Sequence, residues 1–140
     1  MRLVKILTLL AALTILPGIT GLAHAGDADP LFSNVTTDDA HRANMALTFS
    51  KAQFERKHPL TIFLNDRGVF IASRAYSERF KHHQEVLEAL AKDGATIIVC
   101  PMCMKHYGVK KEDLIEGAKV GNPDLTGPAL FKDGTKTLTW

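Results

Sequence analysis

The feature that most constrains the fold is a pair of short apolar runs, Leu60–Leu64 and Ala95–Val99, neither of which contains a charged residue. Runs of this kind lack the alternation of a strand with one wet face, and they are typical of strands buried on both faces. The first run lies between Pro59 and the turn sequence Asn65–Gly68, which bound it as a strand. The two runs therefore predict strands of a parallel sheet.

Amphipathic helices are predicted to alternate with these strands. Thr36–Asp39 offers a threonine N-cap with an acid three residues later, and the periodic apolar residues that follow predict a helix over Asp38–Arg56. Pro59 ends this helix, because the residue before a proline is disfavoured in the helical region. A second helix ends at Asp93-Gly94 and carries four apolar residues on one side: Phe80, Val86, Leu87 and Leu90.

Shorter elements complete the predicted sheet. Three further strands are predicted, one before the first helix and two near the end of the chain, over Leu31–Val35, Lys119–Val120 and Lys136–Trp140. The segment Val69–Ala72 suits either a short strand or a helical turn. A short helical stretch is predicted through Tyr107, and the charged segment Lys110–Glu116 follows it.

The composition and the order of elements predict one α/β domain. The chain has 140 residues, of which 46% are hydrophobic and 23% charged, so it has enough apolar material for a single core. Strand, helix and strand recur at the spacing of right-handed crossover units. We therefore predict a single three-layer, flavodoxin-like domain with a mostly parallel sheet of about five strands and helices on both faces.

The first 25 residues are predicted to form a cleavable signal peptide. Arg2 and Lys5 precede an uncharged run over Ile6–Leu16, and Ala23–Ala25 supplies the small residues of a cleavage site. We place cleavage after Ala25, which leaves residues 26–140 as an exported, periplasmic domain. An uncleaved membrane anchor is the alternative, and it is disfavoured because the run has about half the length of a membrane-spanning helix.

The charge of the predicted mature domain is balanced. The 17 basic residues include Arg2 and Lys5, and those that remain after cleavage equal the 15 acidic residues in number. Such a surface lacks the basic patch expected of a protein that binds nucleic acid or anionic membrane, so we predict neither partner and no stable membrane association. The sequence also contains no nucleotide-binding glycine motif, and we predict no cofactor.

The only reactive-looking motif is the dithiol Cys100-Pro101-Met102-Cys103, which contains both cysteines of the chain. Cys100 follows a predicted buried strand, and the carboxyl ends of parallel strands form the ligand crevice of an open sheet. Pro101 suits the first position of a helix, whose N-terminus favours an anionic sulfur. Since the thiolate is the nucleophile, we predict catalytic roles for Cys100 and Cys103, with Cys100 the more readily alkylated.

Three other interpretations of the dithiol stay open. Cys100 can be a small hydrophobe that ends a strand, with Cys103 packed under the following helix, or the pair can form a structural disulfide. Soft ligands also cluster here, at Met102, Met104 and His106, so the chain can instead be a non-catalytic binding module, either for Cu(I) with the two cysteines as ligands or for a protein partner. The motif is similar to the thioredoxin dithiol, but only 37 residues follow it, too few for the rest of that fold.

Other polar residues are weaker candidates. Asp66 lies at the end of a neighbouring strand, so it either faces the same crevice as Cys100 or only shapes the turn. Three histidines can act as general bases or ligands, although exposed histidines are more often solvated surface: His82, His83 and His106. Two others lack a supporting pattern: His41 and His58.

The order of these pieces resembles the DsrE/DsrF-like family, small sulfur-relay proteins related to the TusD subunits of tRNA thiolation. The resemblance covers nearly all of residues 26–140 and implies a DsrE-like domain. It rests on the threonine-Asp entry to the first helix, a strand running into an Asp-containing turn, a strand ending in cysteine, a later Gly-Val pair and the closing segment: Thr36–Asp39, Asp66–Val69, Cys100, Gly108-Val109 and Thr137–Trp140.

The resemblance also implies a function. In sulfur-carrying members of the family the strand-end cysteine receives a persulfide and passes it on, and by position this role falls on Cys100. Cys103 is then a resolving thiol, which makes the chain a sulfurtransferase-like carrier or a thiol-redox protein. The resemblance further implies a sulfur donor or acceptor protein as partner and a homo-oligomer, either a trimer or a hexamer.

Overall fold

The computed structural model of the chain describes residues 28–140, so the predicted signal peptide lies outside the described residues. The described part contains one parallel five-stranded sheet, formed by β1 (Leu31–Val35), β2 (Leu60–Leu64), β3 (Thr96–Val99), β4 (Ala118–Val120) and β5 (Lys136–Thr139). The strands lie side by side in the order β4-β3-β2-β1-β5. The predicted parallel α/β domain is confirmed.

Four α-helices connect the strands: α1 (Ala40–Glu55), α2 (Ser77–Lys92), α3 (Pro101–Tyr107) and α4 (Pro123–Leu130). Single turns of 3-10 helix supplement them at Asp66–Phe70, Arg74–Tyr76 and Lys111–Asp113. Within residues 28–140, every helix is too short or too polar to cross a membrane.

The main core lies between the sheet and the helices α1 and α2. Because β1, β2 and β3 follow one another in a single direction across the sheet, crossovers of one hand place both connecting helices on the same face. Alternate side chains of β2 and β3 point into this layer and are fully buried: Ile62, Leu64, Ile97 and Val99. The helices meet them with buried apolar residues that include Leu47, Phe80 and Leu87.

The opposite face of the sheet is covered less completely. Its apolar residues include Phe32, Phe63 and Ile98, and the ring centroids of Phe32 and Phe63 lie 6.0 Å apart. The chain returns from β4 at one edge to β5 at the other, and α4 on this return lies beside Phe63. The third layer is therefore short, and it leaves Phe63 partly exposed near the carboxyl ends of the strands.

Local details differ from the sequence predictions at the start of α1. The N-cap is Asp39, whose Oδ1 accepts a hydrogen bond from the Arg42 amide at 2.8 Å, and not a threonine. The hydroxyl of Thr36 instead donates to the carbonyl oxygen of Trp140 at 2.6 Å, which ties the end of β1 to the end of β5. Threonine and aspartate can both cap a helix, so the sequence alone does not decide which residue does so. Here Thr36 bonds to Trp140, and Asp39 is the N-cap.

Two other segments, Val69–Ala72 and α4, form helical structure that the sequence did not decide or did not predict. The undecided segment at Val69–Ala72 belongs to a helical turn, since a 3-10 helix covers Asp66–Phe70. Helix α4 was not predicted, because Pro123, Gly127 and Pro128 are residues that usually indicate a loop. Pro123 stands at the first helical position, and the Asn122 side chain caps the helix by accepting from the Leu125 amide at 2.9 Å.

Candidate functional site

Cys100 lies where β3 passes into α3, at the carboxyl edge of the sheet. It is the N-cap residue of α3 and has an extended backbone conformation, and its amide donates to the Leu64 carbonyl at 2.9 Å. Pro101 starts the helix, as the sequence predicts. The side chain of Cys100 is buried, so the fold holds its sulfur at the edge of the core.

The second cysteine meets the first at the start of the helix. Cys103 is half-buried, and its Sγ atom donates a hydrogen bond to the Sγ atom of Cys100 at 2.9 Å. The Cys103 amide also faces the Cys100 sulfur, at 3.4 Å. Both cysteines are free thiols in this structure. Their sulfur atoms are nonetheless close enough to form a disulfide with a small movement.

A loop from the neighbouring strand reaches the Cys103 sulfur. The backbone amide of Asp66, just after β2, donates to Cys103 Sγ at 3.1 Å. Asp66 has a φ of 42°, in the left-handed region that non-glycine residues seldom adopt. The hydroxyl of Tyr107, in α3, donates to Asp66 Oδ1 at 2.5 Å. Asp66 therefore does both of the things that the sequence allowed: it shapes the turn and it faces the dithiol.

These contacts make the two sulfurs unequal. Burial raises the pKa of the Cys103 thiol, and its hydrogen bond to Cys100 raises it further, while the Asp66 amide lowers it. Cys103 accordingly keeps its proton and directs it at Cys100. The Cys100 sulfur accepts hydrogen bonds from the thiol and the amide of Cys103, whereas the Cys103 sulfur accepts one from the Asp66 amide.

An apolar groove of about 420 Å³ opens beside Cys100, between α3 and α4. Its lining in the described part of the chain contains no charged residue and consists of Phe63, Cys100, Pro101, Met102, Gly121, Asn122, Pro123, Thr126, Gly127 and Phe131. Met102 and Phe131 stand at its rim with 77% and 82% of their surface exposed. Two large apolar side chains with so much exposed surface are typical of a site that binds a ligand or a partner.

A charged cluster lies on the other side of the dithiol. Arg67 forms a two-pronged ion pair with Asp38, at 2.8 and 2.7 Å, and Arg79 contacts the same carboxylate at 3.2 Å. The Arg67 hydrogen bond holds the pKa of Asp38 below its usual value, although partial burial opposes this. Arg67 also lies over the ring of Tyr107, 6.0 Å from its centroid. The cluster thus fixes the entry to α1 against the turn that carries Asp66.

The structure separates the other soft ligands of the predicted copper site. Met104 is buried in the core, whereas Met102 is exposed at the groove and His106 packs edge-on against the Tyr107 ring. Among residues 28–140, no three His, Cys, Asp or Glu side chains gather as metal ligands do. In the described part of the chain, the two sulfur atoms of this set that are in contact are those of Cys100 and Cys103, and Met102 lines the groove beside Cys100.

The remaining histidines of the sequence analysis have other contacts. His83 is buried, and its Nε2 donates to the Ala40 carbonyl at 2.9 Å, which links α2 to α1. His58 contacts the Asp29 carbonyl through Nδ1 at 2.8 Å. His41 and His82 are exposed on the helices α1 and α2. These contacts are structural and do not involve the sulfur atoms.

Tyr107 is the site residue that the sequence analysis missed. Its spacing from the cysteines contained the signal, because residues four apart on a helix share one face and Tyr107 follows Cys103 by four. Its partner, Asp66, comes from a different strand, and sequence spacing does not show that contact.

The described residues 31–139 match a family model, that of the DsrE/DsrF-like family. The chain belongs to this family. It is 36% identical over 101 residues to the uncharacterized protein MJ0989 of Methanocaldococcus jannaschii, a match that covers 71% of this chain and 87% of that protein. Membership of the DsrE family suggests a sulfur-relay-like role.

Solved structures show the same fold. The YchN protein from Escherichia coli superposes with a TM-score of 0.66 at 19% identity, over 81% of this chain and 99% of that one. MTH1491, a protein of unknown function from Methanobacterium thermoautotrophicum, also gives 0.66, at 14% identity over 79% and 98%. At such identities the likeness concerns the fold alone, and it agrees with the parallel five-stranded sheet.

Proposed function

We propose that this chain is an exported sulfur-relay or thiol-redox protein, in which Cys100 carries a persulfide and Cys103 resolves it. The observation that carries the proposal is the hydrogen bond from Cys103 Sγ to Cys100 Sγ at 2.9 Å. In this contact Cys100 is the acceptor and Cys103 the donor, which is the arrangement that we expect of a sulfur carrier beside its resolving thiol. Membership of the DsrE/DsrF-like family supports sulfur as the group transferred.

Loading is a single displacement at sulfur. The Cys100 thiolate attacks the outer sulfur of a donor persulfide, so that a bond forms between the two sulfurs and the donor's own S–S bond breaks. The electron pair of that bond leaves with the donor as a thiolate. Cys100 then carries a persulfide. The sulfane sulfur has taken its oxidising equivalent from the donor to Cys100, so the exchange needs no external oxidant or reductant.

The loaded sulfur has two fates. In relay, an acceptor thiolate attacks the outer sulfur, takes it as a new persulfide and leaves Cys100 as a thiolate. In resolution, Cys103 loses its proton and attacks the Cys100 sulfur, a disulfide forms, and the outer sulfur leaves as hydrogen sulfide. Resolution oxidises the two cysteines and reduces the sulfane sulfur, so a reducing dithiol must restore the protein before another cycle.

The apolar groove is the approach that we propose for the donor or acceptor. It borders the buried Cys100, and its lining in the described residues includes no charged side chain. This favours an uncharged sulfur carrier, or an apolar segment of a partner protein, as the physiological donor or acceptor. From the resemblance to the DsrE/DsrF-like family, we also propose that the working form is a homo-oligomer, either a trimer or a hexamer.

The exported state is part of the proposal. Its support is the charged start, the short apolar run and the cleavage pattern that ends at Ala25. Protein isolated from the periplasm should then begin at Gly26 by intact mass. Recovery of the uncleaved chain from the cytoplasm contradicts export. This result does not bear on the proposed chemistry at Cys100, which the sulfide-release experiment tests.

Sulfide release tests the proposed chemistry. The reduced full chain is loaded with inorganic polysulfide, freed of excess reagent and followed for sulfide and free thiols. We expect the wild-type protein to release sulfide while both thiols disappear, and Cys103→Ser to keep its sulfur because no resolving thiol remains. Equal sulfide release from Cys103→Ser and the wild type contradicts the resolving role.

A further inference from the structure

Three hydrogen bonds, two of which meet at residue Asp66, connect Tyr107 to the dithiol. The Tyr107 hydroxyl donates to Asp66 Oδ1 at 2.5 Å, and the Asp66 amide donates to Cys103 Sγ at 3.1 Å. Cys103 Sγ in turn donates to Cys100 Sγ at 2.9 Å. Each group thus has its position set by the one before it, and the last bond ends on the proposed nucleophile.

The turn that carries Asp66 is held in an unusual conformation. A non-glycine residue at a φ of 42° is disfavoured by contact between its Cβ and the backbone, and it persists where surrounding contacts require it. Asn65 supplies such contacts, since its amide donates to the Val35 carbonyl at 3.0 Å and its side chain to Asn34 Oδ1 at 2.7 Å. This conformation is the one that turns the Asp66 amide toward the sulfur.

We propose that Asp66 and Tyr107 are positioning residues for the resolving thiol: Asp66 fixes the Cys103 sulfur through its amide, and Tyr107 fixes the Asp66 carboxylate beside that sulfur. The inference rests on the proposed function and deepens it, because it assigns a residue pair that regulates when resolution occurs. Neither residue touches the transferred sulfur, so both act through Cys103.

The Asp66 amide positions the Cys103 sulfur, and the Asp66 carboxylate, which Tyr107 holds, delays resolution. The titratable groups that face the Cys103 sulfur are Cys100, Asp66 and Tyr107, and the positive charge of Arg67 beyond Tyr107 is paired with Asp38. Burial and the hydrogen bond to Cys100 raise the pKa of Cys103 and keep it protonated, the Asp66 amide opposes this, and the negative charge of the Asp66 carboxylate adds to it. A protonated Cys103 attacks slowly, and the persulfide on Cys100 then lasts long enough to meet an acceptor.

The substitution Asp66→Asn distinguishes the effect of the carboxylate charge from the effect of the backbone amide. Asparagine tolerates the left-handed region and keeps the backbone donor, so only the carboxylate charge is lost. In the reduced full chain, we expect the pH midpoint of Cys103 alkylation to fall, because a charge that raises the pKa of this thiol is removed. After polysulfide loading, sulfide release at neutral pH should become about twofold faster, because the gain in thiolate is partly offset by lower nucleophilicity.

Tyr107→Phe tests whether the tyrosine acts through Asp66. Without the hydroxyl the exposed Asp66 carboxylate turns to solvent, so the alkylation midpoint should move in the same direction as in Asp66→Asn, and by less. Adding Tyr107→Phe to Asp66→Asn should have no further effect. The matched control is Tyr76→Phe, which removes a hydroxyl from a tyrosine that packs on the same Phe70 ring as Tyr107.

The alkylation profile needs no sulfur donor, so it separates this inference from the proposed function. An unchanged Cys103 midpoint in Asp66→Asn, or a Tyr107→Phe effect that matches Tyr76→Phe or adds in full to Asp66→Asn, overturns the positioning roles. Failure of the wild-type protein to load sulfur at all overturns the proposed function, whatever the alkylation profile shows.

Discussion

The Sγ atom of Cys103 lies 2.9 Å from the Sγ atom of Cys100 and donates a hydrogen bond to it. The two residues share one helical turn, yet their surroundings differ. One sulfur borders an apolar groove and ends a buried strand, and the other contacts the backbone of a neighbouring loop. This difference in surroundings supports the different roles that we propose for the two chemically identical side chains.

The rim of the groove should affect loading without affecting the fold. Met102→Ser and Phe131→Ser remove the two most exposed large apolar side chains, so we expect each to change the free energy of unfolding by less than about 0.5 kcal/mol. Each should slow loading of Cys100 by an alkyl persulfide about fivefold, since a buried apolar contact of that size contributes about 1 kcal/mol to binding.

Met45→Ser is the matched control for the groove variants. Met45 is also an exposed methionine, at 47%, but it lies on α1 at the opposite face of the sheet. Its replacement should leave loading unchanged. Equal loss of loading in Met45→Ser and Met102→Ser contradicts the groove as the approach to Cys100.

The turn beside the dithiol should depend on a glycine. A Cβ atom at Gly68 would lie 2.2 Å from the Val35 carbonyl oxygen, which is backbone and cannot move aside without shifting β1. We expect Gly68→Ala to lower the free energy of unfolding in urea by about 3 kcal/mol and to loosen the Asp66 amide from Cys103.

Gly127→Ala offers the opposite case. Gly127 lies inside α4, and an added Cβ there would meet nothing within 4 Å. Alanine is the better helix former, so we expect a gain in the free energy of unfolding of up to about 1 kcal/mol. If Gly68→Ala were as stable as the wild type, the close approach of this turn to β1 would be contradicted.

Asp38 should make stability depend on acid pH. Its pKa is held below the ordinary 3.8 by the Arg67 hydrogen bond, so its stabilising effect is present above pH 3.8 and is lost as the pH falls through its lower folded value. The difference in unfolding free energy between the wild type and Asp38→Asn should therefore be constant near neutral pH and shrink below about pH 4.

Urea unfolding at several pH values measures this difference. The exposed Asp133 provides a matched control, because Asp133→Asn removes the same charge from a loop far along the chain from Arg67. A difference for Asp38→Asn that does not change with pH would show that the ion pair with Arg67 does not stabilise the fold.

The strands of the sheet were predictable because their signal is local. Leu60–Leu64 is a strand over the predicted residues, and its side chains alternate between two covered faces, which explains the continuous apolar pattern. Helix α4 was not predictable in this way. Its two prolines and its glycine favour a loop when only local sequence is considered. The helix instead forms within the connection that crosses from β4 at one edge of the sheet to β5 at the other.

The site was predictable only in part, for a related reason. The position of Cys100 follows from the end of a strand, so the sequence located it. The contact between Asp66 and Cys103 depends on the left-handed backbone at Asp66, which is set by tertiary hydrogen bonds of Asn65. Aspartate in a turn has many conformations available, and the sequence does not select this one.

The most direct test of the account locates the persulfide. Trypsin releases both cysteines in one peptide, since Lys92 and Lys105 are the basic residues that flank them, so single-cysteine variants are needed to assign the added sulfur. Reduced Cys103→Ser and Cys100→Ser are treated with polysulfide, capped with an alkylating reagent, digested and analysed by mass spectrometry. We predict one added sulfur atom on the peptide from Cys103→Ser and none on the peptide from Cys100→Ser. Equal loading of both variants, or loading of Cys100→Ser alone, would contradict the assignment of Cys100 as the sulfur carrier.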